Sequence, residues 1–473
     1  MRTEHDYLGD MELADEIRYG IQTARGVAAS NVTGHSLAED EMELVRACAL
    51  IKKATALANM DVGGLAPDMA QAIVAAADEV IAGKWDSQFP VDIITGGGGI
   101  SVHMDVNEVL ASRASELLGR PVHPNTHVNM GQSTNDVLPS AILLACRGLL
   151  RAVADAAAEL AAAAAGKERE FAHVVRLGRT CLQDALPVTA GQTFSAWRSF
   201  LERQAACLRG LADECLELPL GGTAVGTGAG VLPGYREAVY ARLRALGAGG
   251  VRPAANLFDA MQFGDLHIRV SAALKALSAG CAKMAADLRL LSSGPRCGIG
   301  EMRLPAILPG SSIMPGKINP ILPELVMQVH FLVCGNDTAV TMAAERGELE
   351  LNVWEAVVAR CISDSCRLLT RALRLFARRC VTGLVMDERR CREEAEASAA
   401  VASVVSAVFG HDTGSRVAAE AASSGRGVRE VVVAMGLMDA AAAARLLDPA
   451  LMTDGEALAR AIAAARATLA HIE

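Results

Sequence analysis

The residues best suited to chemistry lie in one short segment, residues 310–320, which reads GSSIMPGKINP. Its two glycines permit positive φ and its two prolines restrict the chain beside them, so the segment predicts an irregular loop rather than a helix or a strand. Ser311 in such a loop can act as a base only if its alkoxide is stabilised. Backbone N–H groups and the ammonium of Lys317 are suitable stabilisers. A plain surface turn is the alternative, because Gly, Pro and Ser dominate turns for backbone reasons.

Short runs of polar and glycine residues precede this loop along most of the chain. They read RYGIQT at 18–23, MDVNEV at 104–109, HPNTHVN at 123–129, QSTND at 132–136, GRTCLQDA at 178–185, GGTAVGTG at 221–228 and GPR at 294–296. Together with residues 310–320, these runs resemble, in sequence and in order, the signature segments of the aspartase/fumarase superfamily. The resemblance extends over nearly the whole chain, and the loop at 310–320 is its most specific part.

The resemblance implies a β-elimination from a C4 dicarboxylate, which usually gives fumarate. A proton leaves the carbon next to a carboxylate, which then carries two negative charges as an aci-form, so preorganised donors must meet that charge. Carried over by motif, Ser311 is the expected general base, and Lys317 and Asn319 are expected to bind one substrate carboxylate. The remaining expected substrate-binding residues are Ser133, Thr134, Asn135, Thr180 and Ser312.

Glu324 follows the loop and has two interpretations. In fumarase-like members the matching glutamate pairs with a histidine from the GRTCLQDA region, which gives it a supporting role in the site. The alternative is an acid in the first turn of a helix, where it favours the helix dipole. Cys181 occupies the position of that histidine, and both interpretations stay open.

Two positions that would face the leaving group depart from the superfamily pattern. Cys181 stands where fumarases carry histidine and many aspartases carry histidine or glutamine, and Ile100 stands where members that bind an amine or a hydroxyl carry threonine. A free cysteine is often simply a small buried residue, but Cys181 lies inside a signature run. Together the two changes remove polar groups from the expected leaving-group side of the substrate pocket.

The loss of polar groups favours a neutral leaving group. Departing water needs a proton donor, and a desolvated ammonium needs polar partners. A nitro group is neutral and departs as nitrite, which is a weak base and requires no acid catalyst. The pattern resembles the nitrosuccinate lyases of the superfamily, which serve pathways to N–N or diazo natural products. We therefore expect conversion of nitrosuccinate to fumarate and nitrous acid, in antibiotic biosynthesis.

Three alternatives remain open at this point. The run Ser101-Val102 and the residues 132–135 favour an aspartate ammonia-lyase. A fumarate hydratase is the next enzyme to consider. The superfamily also contains lens-type structural proteins derived from lyases, but the presence of Ser311, Lys317 and Asn319 favours an enzyme.

The elements that must position these residues are predicted to be helices. Alanine, the best helix former, is abundant, and only 3% of the residues are aromatic. Apolar residues recur at three- and four-residue spacing, on more than one face, as expected for helices buried in a bundle or between subunits. The predicted long helices span residues 140–168, 190–216, 262–293 and 321–345.

The resemblance implies a mainly α, three-domain fold of the aspartase/fumarase type. Residues 1–139, where the sequence predicts short helices mixed with glycine-rich loops, would form a mixed N-terminal domain with substrate loops. Residues 140–385 would form a central helical-bundle domain that carries the Ser311 loop. Residues 386–473 would form a small helical C-terminal domain. The long central helices are expected to form a bundle shared in a homotetramer, with active sites shared between subunits.

Composition excludes several other classes of protein. The formal charge of −9 argues against a nucleic-acid partner, and 12 cysteines without a CxxC pair indicate neither zinc nor a redox dithiol. Free thiols in that number fit a reducing cytoplasm. We expect no signal peptide and no membrane span, because the first twenty residues have no apolar core and no uncharged apolar run reaches about 18 residues. No metal, nicotinamide or phosphate motif is visible, so no cofactor is expected.

Overall fold

The computed structural model describes residues 1–470 of the chain. The protein is 65% helical, and its strands are short. The abundance of alanine explains much of this content, because alanine loses no side-chain entropy when a helix forms. The mainly α fold predicted from the sequence is confirmed.

The four long helices expected from the apolar spacing are present, and most of their ends lie within three residues of the predicted bounds. They are Thr134–Glu170, Ala190–Glu214, Asp265–Leu291 and Ile321–Ala344. The main difference is the start of the first helix, which precedes the predicted start at residue 140. Pro139 lies inside this helix, near its N-terminus. A proline there removes one intrahelical hydrogen bond, and the helix continues through it because both flanks are well packed.

Fifteen further helices complete the described chain. Their bounds are Ile21–Ser30, Leu37–Asp40, Met42–Asp61, Pro67–Ile81, Ile100–Leu118, Tyr235–Ala245, Leu257–Gln262, Glu355–Phe376, Glu388–Ala397, Ala402–Phe409, His411–Ser424, Val428–Ala434, Ala440–Leu446, Pro449–Met452 and Gly455–Ala470. Short helical turns lie at Asp86–Gln88, Pro124–Val128, Ala377–Val381 and Ala399–Val401.

The prediction of only short helices within residues 1–139 is wrong. Met42–Asp61 has 20 residues and Ile100–Leu118 has 19. Both helices bury polar side chains, among them Lys52 and His103, on faces that pack inside the protein. These polar residues interrupted the apolar pattern from which helix length was predicted.

Strands occur in the described chain as two-stranded pairs. The pairs are Arg2–Asp6 with Gly9–Leu13, Val175–Thr180 with Gln183–Thr189, Glu217–Leu218 with Arg252–Pro253, and Met302–Arg303 with Val385–Met386. The second pair is an antiparallel hairpin whose turn is Cys181-Leu182, with φ of 51° and 59°. Two-residue turns of this kind normally use Asn-Gly, so the residues Cys181-Leu182 carry no hairpin signal.

One compact unit contains three stretches of the chain, namely Met1–Asp155, Gln204–Ser278 and Val329–Thr370. Within it, the helix Met42–Asp61 packs on the helices Pro67–Ile81 and Tyr235–Ala245. The helix Ile100–Leu118 packs on Pro67–Ile81 as well. This arrangement fixes the N-terminal end of Ile100–Leu118, where the glycine-rich turn and Ile100 lie.

A second compact unit contains Ala156–Arg203, Ala279–Gln328 and the described chain from Arg371 onward. It holds the Thr180 hairpin and the loop at 310–320. Its C-terminal helices bury an apolar core of their own, which includes Val405, Val417, Val431, Val432 and Leu447.

The boundaries between the two units fall at positions assigned to long helices. The predicted division of the chain into residues 1–139, 140–385 and 386–473 rests on the family resemblance and stays a prediction.

One helix of the described chain, Thr134–Glu170, is long and apolar enough to cross a membrane by length and composition. In the structure, 61% of its most apolar window is buried inside the protein. The helix thus has the character of a core helix.

Candidate active site

The loop at 310–320 places backbone donors at the Ser311 hydroxyl. Ser311 Oγ accepts hydrogen bonds from the N–H of Met314, at 2.9 Å, and from the N–H of Ile313, at 3.3 Å. The side chains of Ile313 and Met314 are exposed, so the loop presents this group at the protein surface. Backbone N–H groups aimed at an oxygen stabilise negative charge on it, which is the requirement for a serine base.

Two contacts close the loop on itself. Asn319 Nδ2 donates to the carbonyl of Gly310 at 2.7 Å, and the N–H of Gly310 donates to the carbonyl of Lys317 at 2.8 Å. A Cβ atom at Gly310 would lie 2.4 Å from that Lys317 carbonyl, so only glycine fits. Asn319 therefore shapes the loop, and the exposed side chains of Ser312 and Lys317 remain directed to solvent.

Glu324 lies in the first turn of the helix Ile321–Ala344. Its Oε1 atom lies 3.7 Å from Nη2 of Arg289, and both side chains are about two-fifths exposed. The charge partner is thus an arginine rather than a histidine. The geometry agrees with the interpretation of Glu324 as an acid at a helix N-terminus, and its supporting role in catalysis stays a prediction.

Thr180 and Cys181 lie at the tip of the antiparallel hairpin in the second unit. Thr180 pairs with Gln183, and Cys181 occupies the first position of the two-residue turn, where its thiol is exposed. The positive φ of Cys181 is uncommon for a residue with a side chain and is a strained conformation. The turn therefore presents Thr180 and Cys181 together on an exposed tip.

Buried ion pairs anchor the base of this hairpin. The carboxylate of Glu301 is fully buried and accepts from Arg176 Nε at 2.9 Å and from Arg179 Nη1 at 2.7 Å. Loss of either arginine would leave part of the buried charge uncompensated. A cavity of about 590 Å³ lies beside the hairpin and is lined by Thr180 and Leu182 among other residues.

Ser133 and Asp136 begin the helix Thr134–Glu170 as a capping box. Ser133 Oγ accepts from the N–H of Asn135 at 3.2 Å, and Asp136 Oδ1 accepts from the N–H of Ser133 at 2.9 Å. Thr134 and Asn135 are therefore held in the first turn of a 37-residue helix. The free N–H groups and the dipole of such a terminus favour a bound anion, as a substrate carboxylate would be.

Asp136 also fastens a second glycine-rich loop to this helix. Its Oδ2 atom accepts from the N–H groups of Gly221, at 2.9 Å, and Thr223, at 3.1 Å. Burial raises the pKa of Asp136 to about 6, although these hydrogen bonds act in the opposite direction. Asn135 Nδ2 donates to the carbonyl of Ala224 at 2.8 Å, which fixes the orientation of its amide.

Ile100 begins its helix directly after three glycines with positive φ. Gly97, Gly98 and Gly99 have φ of 69°, 64° and 77°. A Cβ atom at Gly99 would lie 2.2 Å from a methyl carbon of Leu138, so the close approach of this turn requires glycine. The side chain of Ile100 is 43% exposed. The structure thus presents an apolar side chain where the resemblance leads one to expect threonine.

Two residues that the sequence analysis missed lie beneath the Ser133–Asn135 segment. The fully buried Lys52 donates from Nζ to Asn129 Oδ1 and to Gln132 Oε1, each at 2.8 Å. Nδ1 of the buried His103 lies 2.8 Å from Thr134 Oγ1. The available signal was a lysine and a histidine in mostly apolar runs of sequence, since buried charged and polar groups need specific partners.

The predicted site residues fall into two groups. Ser133, Thr134, Asn135 and Ile100 belong to the first compact unit, whereas the Thr180 hairpin and the Ser311 loop belong to the second. Within each group the sequence neighbours are held by the hydrogen bonds described above. Within residues 1–470, no group of three or more His, Cys, Asp or Glu side chains is arranged to hold a metal ion.

Comparison with known proteins identifies the class. A family model described as lyase matches residues 9–335, and a model of the fumarase C C-terminus matches residues 402–454. A crystal structure of a fumarate lyase:delta crystallin from Brucella melitensis has a TM-score of 0.92 and 43% identity, covering 96% of this chain and 99% of that one. The chain is thus a lyase. More closely, it belongs to the aspartase/fumarase superfamily.

The names of similar proteins imply different leaving groups. Aspartate ammonia-lyase of Bacillus subtilis is 40% identical over 96% of each chain, and that of Pseudomonas aeruginosa is 44% identical over 95% of this chain and 96% of its own. Fumarate hydratase class II of Halobacterium salinarum is 42% identical over 96% of this chain and 97% of its own. These relatives support the alternative of an aspartate ammonia-lyase better than the expected nitrosuccinate lyase.

Proposed function

We propose that this protein catalyses a β-elimination from a C4 dicarboxylate to give fumarate, with Ser311 as the general base. The observation that carries the proposal is the pair of N–H donors, from Ile313 and Met314, at the Ser311 hydroxyl oxygen. An alkoxide at this oxygen would be stabilised by fixed dipoles that need no reorganisation during the reaction. The superfamily membership supplies the class of substrate.

The proton and the electrons are accounted for within the substrate and the loop. The Ser311 alkoxide takes the proton from the carbon next to one carboxylate, and the C–H electrons move into that carboxylate to form the aci-anion. These electrons then form the carbon–carbon double bond of fumarate as the leaving group departs with its bonding pair. Thr134, Ser133 and Ser312 would donate to the aci-carboxylate, and the helix N-terminus at Thr134 adds a favourable dipole.

The other substrate groups have proposed partners as well. Lys317 and Asn319 would bind the second carboxylate, because Lys317 supplies a positive charge on an exposed loop and Asn319 keeps one amide hydrogen free after its bond to Gly310. Asn135 and Thr180 would complete the pocket.

Ammonia is the first candidate for the leaving group; it would depart with the bonding pair from the protonated amine of L-aspartate, which is then the substrate. Its support comes from the relatives named aspartate ammonia-lyase, which are 39–44% identical to the chain over most of their length. The amine would need partners other than the side chains of Ile100 and Cys181.

Nitrite is a second candidate, and nitrosuccinate is then the substrate. It is favoured by one specific observation, the exposed Ile100 side chain at the start of its helix together with the exposed Cys181 thiol at the hairpin tip. Neither side chain can compensate a desolvated ammonium. A neutral nitro group loses less hydration and departs without a proton donor. A role in antibiotic biosynthesis would accompany this second candidate.

Assembly and location are part of the proposal. Apolar side chains on the helix Ile321–Ala344, including Phe331, Leu332 and Met342, are more than half exposed in one chain. We propose that they are covered in a homotetramer with active sites shared between subunits, the arrangement implied by the superfamily. Twelve free cysteines are in keeping with a cytoplasmic location.

A substrate panel tests the proposed function. L-Aspartate, nitrosuccinate and L-malate are each mixed with the purified protein, and fumarate, ammonium and nitrite are measured. Fumarate from at least one of them, with loss of activity in Ser311→Ala, is expected. Absence of fumarate from all three would overturn the proposal, and the co-product decides between the two leaving groups.

A further inference from the structure

His103 contacts Thr134 from inside the protein. Its side chain is 1% exposed, its Nδ1 atom lies 2.8 Å from Thr134 Oγ1, and its Nε2 atom is buried without a hydrogen-bond partner. Among the described residues 1–470, the hydrogen bond to Thr134 is thus the single polar contact of this buried ring. His103 lies three residues after Ile100, on the helix that follows the glycine-rich turn.

The surroundings keep this imidazole neutral. Burial lowers the pKa of His103 well below its ordinary value, and the charge of Lys52 acts in the same direction. Lys52 is itself fully buried, and burial lowers its pKa to about 7. A neutral imidazole carries one N–H group, so the position of that hydrogen decides which way the Thr134 hydroxyl points.

The two tautomers have different consequences for Thr134. With the hydrogen on Nε2, Nδ1 would accept the Thr134 O–H, and the Nε2–H would be a buried donor without an acceptor. With the hydrogen on Nδ1, the ring donates to Thr134 Oγ1 and leaves the O–H free for another acceptor. Orphaned buried N–H donors are the rarer situation in proteins, so the second tautomer is favoured.

We propose that His103 is a positioning residue, which donates from Nδ1 to Thr134 Oγ1 and so aims the Thr134 O–H at the substrate carboxylate. The inference rests on the proposed function, in which Thr134 meets the charge of the aci-anion. A threonine hydroxyl that already accepts a hydrogen bond is also the stronger donor, because chains of hydrogen bonds polarise one another. His103 itself touches no substrate and acts through Thr134.

Four variants and one double variant test this assignment. His103→Leu removes the donor. His103→Asn places an amide where Nδ1 lies, whereas His103→Gln carries its amide further out, where Nε2 lies. Thr134→Val removes the hydroxyl at nearly constant shape, and the double variant His103→Leu/Thr134→Val completes a thermodynamic cycle. For each variant we would measure kcat and KM, on the substrate that the wild type converts, and the melting temperature.

Thr134→Val is expected to lower kcat about 100-fold, as loss of an oxyanion donor does. His103→Leu is expected to lower kcat about tenfold with little change in KM, because the lost interaction strengthens in the transition state. His103→Asn should recover most of that loss, and His103→Gln should not. The double variant should be no slower than Thr134→Val alone, since His103 has nothing left to orient.

Additive losses in the double variant, or equal activity of the Asn and Gln variants, would overturn the assignment. A purely structural role predicts losses that follow the melting temperature instead. If His103→Leu does not fold, the Asn and Gln variants alone decide. If the wild type is active and the losses in the variants are additive, only the His103 assignment fails. If the wild type forms no fumarate from any of the substrates, the proposed function fails, and this inference fails with it.

Discussion

Ser311 Oγ lies 2.9 Å from the backbone N of Met314, and the N–H of Met314 donates to it. The loop that carries the serine therefore also carries a donor that would stabilise its alkoxide. The same loop is closed by the contact of Asn319 with Gly310, so the donor and the acceptor are held by one short stretch of chain. This arrangement makes Ser311 testable as a base without reference to the leaving group.

Replacement of the base should abolish catalysis while the fold remains. Ser311→Ala is expected to lower kcat by several orders of magnitude, because it removes the hydroxyl oxygen at which the two backbone donors are aimed. Fumarate formation and circular dichroism are measured on the same sample. Ser423→Ala, at an exposed serine of a C-terminal helix, is the matched control and should be as active as the wild type. Near-normal turnover in Ser311→Ala would remove Ser311 from the mechanism.

Lys317 is expected to act on substrate binding. Lys317→Ala should raise KM and lower kcat, since its charge is proposed to hold one carboxylate, and Lys317→Arg should lose less because the charge is retained. Steady-state kinetics on the active substrate measure both parameters, with Lys84→Ala as a control at an exposed lysine paired with Glu79. A monocarboxylate analogue that reacts as fast as the dicarboxylate would contradict the proposed pocket.

The helices of this protein were largely predictable, and the reason is physical. The long helices bury continuous apolar faces, which leave a three- and four-residue spacing that a single sequence reveals. The helices Met42–Asp61 and Ile100–Leu118 were missed at full length because their buried faces include Lys52 and His103. The hairpin at Thr180 was missed because its turn uses Cys181 and Leu182 in a conformation that those residue types rarely adopt.

The candidate site was predictable only in part. The irregular course of the Ser311 loop was predictable because its glycines and prolines are visible in its own sequence, whereas the roles of Ser311 and of the Ser133–Asn135 segment stay predictions. The capping box of Ser133 and Asp136 was not predicted, although a serine followed three residues later by an acid is its sequence signature. The contact of His103 with Thr134 was not visible, because it joins two helices across 31 positions and depends on tertiary packing.

Stability should depend on pH through Lys52. Burial lowers its pKa to about 7, so between that pH and about 10.4, the usual pKa of an unfolded lysine, the unfolded chain binds more protons than the native one. The contribution of Lys52 to the free energy of unfolding therefore rises between pH 7 and pH 9, by an amount on the order of 2 kcal/mol.

The comparison that reveals this dependence is between the wild type and Lys52→Met. Urea denaturation midpoints are measured for both at pH 7 and pH 9, with Lys53→Met as a control from the same helix. The denaturation midpoint of the wild type should rise relative to that of Lys52→Met as the pH rises. A stability difference, wild type minus Lys52→Met, that stays constant or falls as the pH rises would contradict a depressed pKa at Lys52.

Assembly should depend on the exposed apolar side chains of the helix Ile321–Ala344. The wild type is expected to be a homotetramer of about four times 49.4 kDa by light scattering. Phe331→Glu, at a side chain 62% exposed in one chain, should lower the mass and the activity together, since a charge would be buried at a subunit contact. Leu117→Glu, at a side chain 44% exposed on another helix, is the control. An active monomeric wild type would refute both the tetramer and shared active sites.

The leaving group should be decided by Ile100 and Cys181. If ammonium is released, the wild type deaminates aspartate efficiently and forms no nitrite from nitrosuccinate. If nitrite is released, fumarate and nitrite appear from nitrosuccinate far faster than fumarate appears from aspartate or malate, because a thiol and an isoleucine give an ammonium too few partners.

If nitrite is released, Ile100→Thr with Cys181→His should shift kcat/KM toward the amine or hydroxyl substrate, as polar partners are restored. Val32→Thr and Cys207→His, at an exposed valine and an exposed cysteine outside the proposed site, show whether polarity elsewhere has the same effect. A preference that stays the same in Ile100→Thr/Cys181→His would mean that other residues select the leaving group.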